Sequence, residues 1–366
     1  MPFSACFIGL LSWQPARGGR LSTASQAPLL ACGVLEIWAR RVRRGGLFCV
    51  PILGPNGAPL WAGCPRATLQ LPMTTSPYRG ALVALATRHG KERVIAPALR
   101  HGLGAELLHV ATVDTDALGS FCGSVPRVIS ALEACERKAV LAAEAAGLRL
   151  AIASEGSFTA HPRVPMLSVG IESMLFLDRD RGLTIVEQRL CHRTNHAHRL
   201  VCAADLVDGH GSDDLVRWLM AVGFPRHALI VRPSQPDQES PRIWKGVSSQ
   251  PALLSALPMA MHHSSDGCAQ VETDMRAHCN PTRMAAIRRL SFKLIRRIRS
   301  LCPACGSPGW GLLRSEPGLP CSWCQQPTEL VLAEWHGCGV CHHQVRQPRR
   351  DGLQAADPGH CLACNP

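Results

Sequence analysis

Four Cys-x-x-Cys knuckles crowd the C-terminal end of the chain and constrain its fold more than any other feature. Cys302-Pro-Ala-Cys305 and Cys321-Ser-Trp-Cys324 have 15 residues between them; Cys338-Gly-Val-Cys341 and Cys361-Leu-Ala-Cys364 have 19. Two thiolates three positions apart can wrap one side of a tetrahedral Zn²⁺, and a second knuckle closes the shell. Sulfur at every ligand position leaves no open site for catalysis, so the two metals read as structural. Pairing successive knuckles gives two sequential zinc ribbons, which is the expected arrangement. An interleaved cross-brace joining alternate knuckles is the alternative. The other ten cysteines stand singly and are expected to be buried thiols, as in a reducing compartment.

The rest of the chain divides by pattern. Residues 1–77 carry isolated tryptophans and cysteines with no lasting helix or strand period. They read as a poorly structured extension, and Met73 suggests a mis-assigned start. From Tyr78 short apolar runs alternate with amphipathic stretches: strands at 81–87, 107–113 and 148–153, helices at 92–103 and from Ser130 to Gly147. Later strands are expected at 173–177, 183–190, 228–232, 243–247 and 271–275, with helices at 213–222 and 253–262. This alternation predicts a mixed-sheet α/β domain over 78–300, ending in a basic helix that Asn280 caps, then the ribbons over 301–366.

The formal net charge is +12, but it is local. Residues 1–75 contribute +6 and residues 276–315 contribute +9, leaving the remainder slightly acidic. In the helix from Pro281, Ile287, Leu290, Leu294, Ile295 and Ile298 form one stripe with arginines outside it. That pattern predicts packing on the helix's own domain with a solvated basic face. Nucleic-acid contact is the second reading, with Trp310, Trp323 and Trp335 as stacking surfaces. No apolar stretch reaches the length of a membrane-spanning helix, so no membrane partner is expected. Export signals are also missing at the N-terminus, which points to the cytoplasm.

Polar clusters follow several strand-like runs, where open α/β sheets place ligands. Thr87, His89 and Lys91 flank Gly90 before a helix, a pattern that suits phosphate. Ser154, Glu155, Gly156, Ser157 and His161 form a second cluster after a strand, whose carboxylate could hold Mg²⁺. Glu272, Asp274, Arg276, His278, Asn280 and Arg283 form the third. Asp114 and Asp116 make a further acidic pair, and His192, His196 and His198 a weaker candidate for metal.

From Tyr78 to Pro366 the chain resembles an uncharacterised bacterial family defined by a domain of unknown function. The segments ATRHGKERVIAPAL, DTDALGSF, ASEGSFTAHP, LIVRP, VETDMRAHCNPTRM and the stretch from CPACG to CLACNP carry that resemblance. The order of motifs is also distantly similar to inosine-triphosphate pyrophosphatases and Maf-like nucleotide hydrolases. Thr87 and Lys91 stand at their phosphate loop, Glu133, Lys138 and Ala139 at their helix motif, and Glu155 at their metal-binding strand end. The loop here is one residue shorter, His89 replaces Asn, and only one acid ends the strand.

The first functional expectation is therefore a metal-dependent hydrolase of a nucleotide or other small phosphorylated substrate. Lys91, Glu155 and Asp274 would be catalytic, the two acids holding Mg²⁺. Thr87, His89, Arg276, His278, Asn280 and Arg283 would bind substrate. The alternative is a non-catalytic zinc-ribbon protein that binds nucleic acid or a protein partner through the ribbons and the basic helix.

Overall fold

The computed structural model describes residues 76–118, 128–161, 164–207, 210–237 and 242–365. The extension expected over 1–77 lies outside them except for its last two residues, and so does the end of DTDALGSF. Residues Thr74–Pro366 form one compact unit. It is a mixed α/β structure with five α-helices among the described residues.

The main sheet has five strands in the order β2-β1-β3-β4-β5. They are β1 (Leu82–Ala86), β2 (Glu106–Val110), β3 (Leu150–His161), β4 (Val164–Asp178) and β5 (Leu183–Cys191). β1 pairs in parallel with β2 and β3, whereas β4 runs antiparallel to both β3 and β5. Helix α1 (Glu92–Leu103) lies on one face and α2 (Ala131–Ala146) on the other. Both stop at a left-handed glycine, Gly104 and Gly147, where a residue with a Cβ would be strained. Ser130 caps α2 by accepting from the Glu133 N–H at 3.1 Å.

A second sheet is inserted after β5. It contains β6 (His198–Val201), β9 (Leu229–Pro233), β10 (Trp244–Val247) and β11 (Ala269–Thr273), in the order β10-β9-β11-β6 and all antiparallel. A two-stranded pair, β7 (Leu206–Val207) with β8 (His210–Gly211), sits beside it in sequence. Helices α3 (Asp213–Val222) and α4 (Gln250–His262) bury Leu215, Val222, Leu253 and Leu257 against this sheet.

The chain then returns to the main sheet through α5 (Pro281–Arg299). Asn280 caps it, accepting from the Arg283 N–H at 3.0 Å. The expected stripe of Ile287, Leu290, Leu294, Ile295 and Ile298 is buried with α1 and the strands. Aliphatic side chains of this size stabilise by roughly 1.5–3 kcal/mol each when fully buried. Burial on its own domain therefore fixes the position of α5, as its sequence predicts.

Two strand assignments change. The segment Ser154–Ser157, read as lying after a strand, continues β3, because β4 pairs with it residue for residue from Leu150 to Ala160. The tail, where no strand was assigned, holds a three-stranded antiparallel sheet: β12 (Gly311–Pro317), β13 (Val331–Gly337) and β14 (Gln344–Pro348). Of the single cysteines among the described residues, Cys135 is buried as expected, Cys191 and Cys279 are half-buried, and Cys202 is disulfide-bonded to Cys268. The last pair departs from the free-thiol reading. No helix among the described residues is long and apolar enough to cross a membrane.

Candidate functional site: a lysine-flanked cleft and two four-cysteine centres

The tail sheet decides how the cysteines group. β12 leads from the first knuckle to the second, β13 returns to the third, and β14 leads away again towards the fourth. Gly311 pairs with Gly337, so the first and third knuckles share one end of the sheet. Pro317 pairs with Val331 at the other end. A seven-residue strand separates its two ends by about 20 Å, too far for successive knuckles to share an ion.

Alternate knuckles meet instead. Cys302, Cys305, Cys338 and Cys341 form one group; Cys321, Cys324, Cys361 and Cys364 form the other. This overturns the sequential pairing and leaves the eight ligands as expected. Within the groups Cys302 and Cys341 sulfurs lie 3.7 Å apart, Cys305 and Cys338 3.6 Å, Cys321 and Cys364 3.9 Å, and Cys324 and Cys361 3.5 Å. A tetrahedron with Zn–S bonds of 2.3 Å has edges of about 3.8 Å, so both groups fit Zn²⁺. The backbone N–H groups of Ala304, Trp323 and Val340 point at the first sulfur of their knuckles, which supports the thiolate form. Both groups could hold zinc as small structural ribbons do.

The chemistry-bearing cleft lies at the C-terminal end of β1 and beside the middle of β3. Thr87, His89, Lys91, Asp116, Lys138, Ser154 and Glu155 line it. Lys91, just before α1, is 6% exposed and donates to the Ser154 carbonyl at 2.5 Å. Lys138, on the sheet-facing side of α2, donates to Glu155 Oε2 at 2.5 Å. Burial pushes the Lys91 ammonium down to about 8, against the pull of Glu155. Burial would raise the Glu155 carboxyl, yet Lys91, Lys138 and Arg283 together hold it below its usual range. His89 is pushed down to about 3 by burial and by Lys91, so it is neutral at ordinary pH. Ser154 is buried, 4% exposed, and its Oγ has no hydrogen-bond partner among the described residues.

The third cluster only partly joins this cleft. The His278 ring stacks on His89 with centroids 5.3 Å apart. Arg283 reaches the sheet beside Gly156, where its Nη2 lies 2.5 Å from the position a Cβ would take, so only glycine fits there. It binds Glu172 of β4 at 2.7 Å, both side chains 1% exposed, and donates to the Met275 carbonyl. Asp274 is elsewhere: Arg276 grips both its oxygens and the Gly246 N–H donates to one of them. Asn280 holds Asn195 and the α5 N-terminus. Glu155 and Asp274 are therefore each held by other partners and do not form the expected Mg²⁺ pair.

Three contributors were not among the expected site residues. Lys138 carries a signal only through its spacing in the helix motif. Asp116 stands in the sequence as half of an acidic pair with Asp114. Glu172 sits in an otherwise apolar strand, and Arg283 extends the buried stripe of α5 one turn earlier; those two misplaced charges were the signal that they pair. Glu133, the acid of the helix motif, is exposed and bound to Arg137. His196 stacks on Phe158 and no described histidines gather into a metal group. Two of the tryptophans expected to be free for stacking are engaged: Trp310 stacks on His343, and Trp335 donates to Glu316. Trp323 is 76% exposed.

No curated protein and no solved structure matches the chain, so nothing supports the distant likeness to inosine-triphosphate pyrophosphatases and Maf-like hydrolases. A family model described as a domain of unknown function, DUF6671, matches residues 138–366. That span starts at Lys138 and includes Ser154, Glu155, Glu172, Arg283 and both cysteine groups. By this match over most of its length, the chain belongs to the DUF6671 family.

Proposed function

We propose that the cleft binds a small phosphorylated molecule and hydrolyses it. The observation that carries this reading is the pair of buried lysines around one carboxylate. Lys91 and Lys138 flank Glu155, so the buried floor of the cleft holds two cations to one carboxylate, while Asp116 on the more exposed rim brings the whole lining to neutrality; a phosphate would take the place of a carboxylate at these lysines. The α1 N-terminus adds partial positive charge of the same sign.

Phosphoryl transfer to water depends mainly on positioning and on stabilising spread negative charge. In this reading Lys91 and Lys138 take the phosphate oxygens, and Glu155, ionised and released from Lys138, orients the attacking water. His89 is a neutral hydrogen-bonding group. Mg²⁺ enters only as the counter-ion that the substrate's phosphates carry, since Glu155 and Asp274 are not paired.

The test is a panel of nucleoside triphosphates and sugar phosphates, with and without Mg²⁺, on the full chain loaded with zinc. Turnover that falls at least a hundredfold in Glu155→Gln supports hydrolysis, a typical size for a positioned acid–base group. Wild-type protein no faster than Glu155→Gln sinks it. Binding is read separately: Lys91→Ala should abolish retention of the same ligands.

A further inference from the structure

Most arginines of the α/β body are paired with acids. Arg88 meets Asp114, Arg149 meets Asp180, Arg199 meets Asp205, and Arg232 meets Glu272. A group of exceptions gathers in one place. A groove of about 520 Å³ runs between the end of β5, the turn after α3 and the first half of α5. Arg189, Arg193, Arg226 and Arg289 line it, and no Asp or Glu does. All four are exposed, and none has a carboxylate partner among the described residues. Four like charges in one concavity repel each other, and a polyanion relieves that repulsion.

The charge continues along the helix. Arg288, Arg296 and Arg299 are also exposed on α5 without a carboxylate partner among the described residues. Arg289 to Arg299 spans about 15 Å of helix. Phe292, 37% exposed, lies between them one turn beyond Arg289. The imidazoles of His192 and His227 line the groove itself. A basic track with flat rings beside it is the arrangement that holds unpaired nucleotides, whose phosphates meet the cations while their bases stack.

We infer that this groove and the exposed face of α5 bind single-stranded nucleic acid. The surface differs from the reading of the basic helix alone. Three of its four groove arginines come from outside α5, and neither Trp310 nor Trp335 takes part. It is also independent of the lysine cleft, which Arg189, Arg193, Arg226 and Arg289 do not line.

The test is anisotropy of a labelled oligo(dT) strand of about 16 nucleotides with the full, zinc-loaded chain. Each phosphate contact on a single strand contributes a slope of about −0.7 to log K against log salt. Contacts from all seven arginines of the groove and helix face predict a slope of about −4.9, or about 900-fold weaker binding at 200 than at 50 mM salt. Arg226→Gln combined with Arg289→Gln should cut the slope to about −3.5 and that salt effect to about 130-fold. Circular dichroism and zinc content should stay as in the wild type, because both side chains are exposed. Lys91→Ala should bind the strand as the wild type does. No binding at 50 mM salt, or a double variant indistinguishable from wild type, overturns the proposal. So does a duplex that binds as tightly as the single strand.

Discussion

The α/β body and the cysteine tail solve the same problem by different means. The body buries three apolar clusters, and no residue beyond Ile298 belongs to any of them. The tail buries little besides Leu319, Ala333, Ala356 and the first cysteine of each knuckle, Cys302, Cys321, Cys338 and Cys361. A segment this small cannot remove enough apolar surface from water to hold three short strands together. Ions held by the two cysteine groups could take the place of a core, and the interleaving would make each ion tie together knuckles far apart in sequence. The expectation is that the body keeps its fold without metal and that the tail does not.

The strongest way to break this contrast is to remove zinc one site at a time. Structural zinc contributes about 10–16 kcal/mol in small domains. Interleaving makes a specific demand on stoichiometry. Cys305→Ser with Cys341→Ser disables one group only, so native mass spectrometry should find one zinc. Cys305→Ser with Cys324→Ser touches both groups and should leave none. Sequential ribbons require the opposite result for each pair. In both variants hydrogen exchange should accelerate in β12–β14 and stay slow in α1, α2 and α5. Loss of protection throughout the body would show that the two regions are one cooperative structure.

The body has its own buried charges, and these should behave unlike the metal sites. Arg283 and Glu172 are joined at 2.7 Å with almost no exposure. Removing one partner leaves an unpaired charge in the core, at a cost of about 3–5 kcal/mol. Arg283→Met should therefore lower the urea midpoint of the body strongly, with zinc content unchanged. Glu172→Met together with Arg283→Met should recover much of the loss, because the charge itself is gone. If the double variant is as unstable as the single one, the pair holds more than its own charges.

A smaller effect separates the cleft from the tail by pH. Lys91 in the folded protein is charged below about 8 and neutral above it, since burial disfavours the ammonium. Anion binding in the cleft should thus be full at pH 7 and fall by up to tenfold for each unit above pH 8. Between pH 5 and 7 it should be nearly flat, because His89, pushed down to about 3, does not titrate there. Calorimetry with sulfate, which stays a dianion over this whole pH range, reads both limbs in Mg²⁺-free buffer. A fall centred near pH 6 would assign the cation to a histidine and remove Lys91 from its role.

The two regions also differed in what their residues disclosed in advance. Helices α1 and α3 were legible to the residue, and the α5 stripe with its Asn280 cap was legible in period and start. Each rests on local spacing and a local capping bond. The eight cysteines of the two groups were equally plain, since Cys-x-x-Cys fixes how two sulfurs could meet one ion. Their pairing was not, because it depends on where β12 and β13 carry the knuckles; the strand-like runs GLLRSEP and VLAEWHG were the overlooked clue. The cleft was half legible: Lys91 and Glu155 stood out beside glycines. The partners Lys138 and Glu172 lie inside regular elements, and only sheet register and helix packing bring them to Glu155 and Arg283. Asp274 misled because its bidentate bond to Arg276 is two residues away and invisible in a list of polar residues.

The finest test of the contrast is in the knuckle turns, where backbone conformation alone should change how firmly zinc is held. The residue after the second cysteine is left-handed in three knuckles: Gly306 at φ 71°, Gln325 at φ 60° and His342 at φ 60°. Glycine takes this conformation freely, whereas other residues lose roughly 1–2 kcal/mol there. A Cβ on Gly306 would meet no atom within 4 Å, so Gly306→Ala tests the backbone alone. It should weaken the first zinc site by about 1 kcal/mol, or about fivefold in chelator competition. Gln325→Gly should tighten the second site by about 0.5–1 kcal/mol, because relief of strain is partly offset by a freer unfolded chain. The comparable change in the body is at Gly147, the left-handed end of α2, where a Cβ also meets nothing within 4 Å. Gly147→Ala should lower the body's stability by a similar amount and leave both zinc affinities untouched. If Gly147→Ala loosens zinc, the tail draws on the body for its fold, and the division between an apolar body and a metal-held tail fails at its smallest scale.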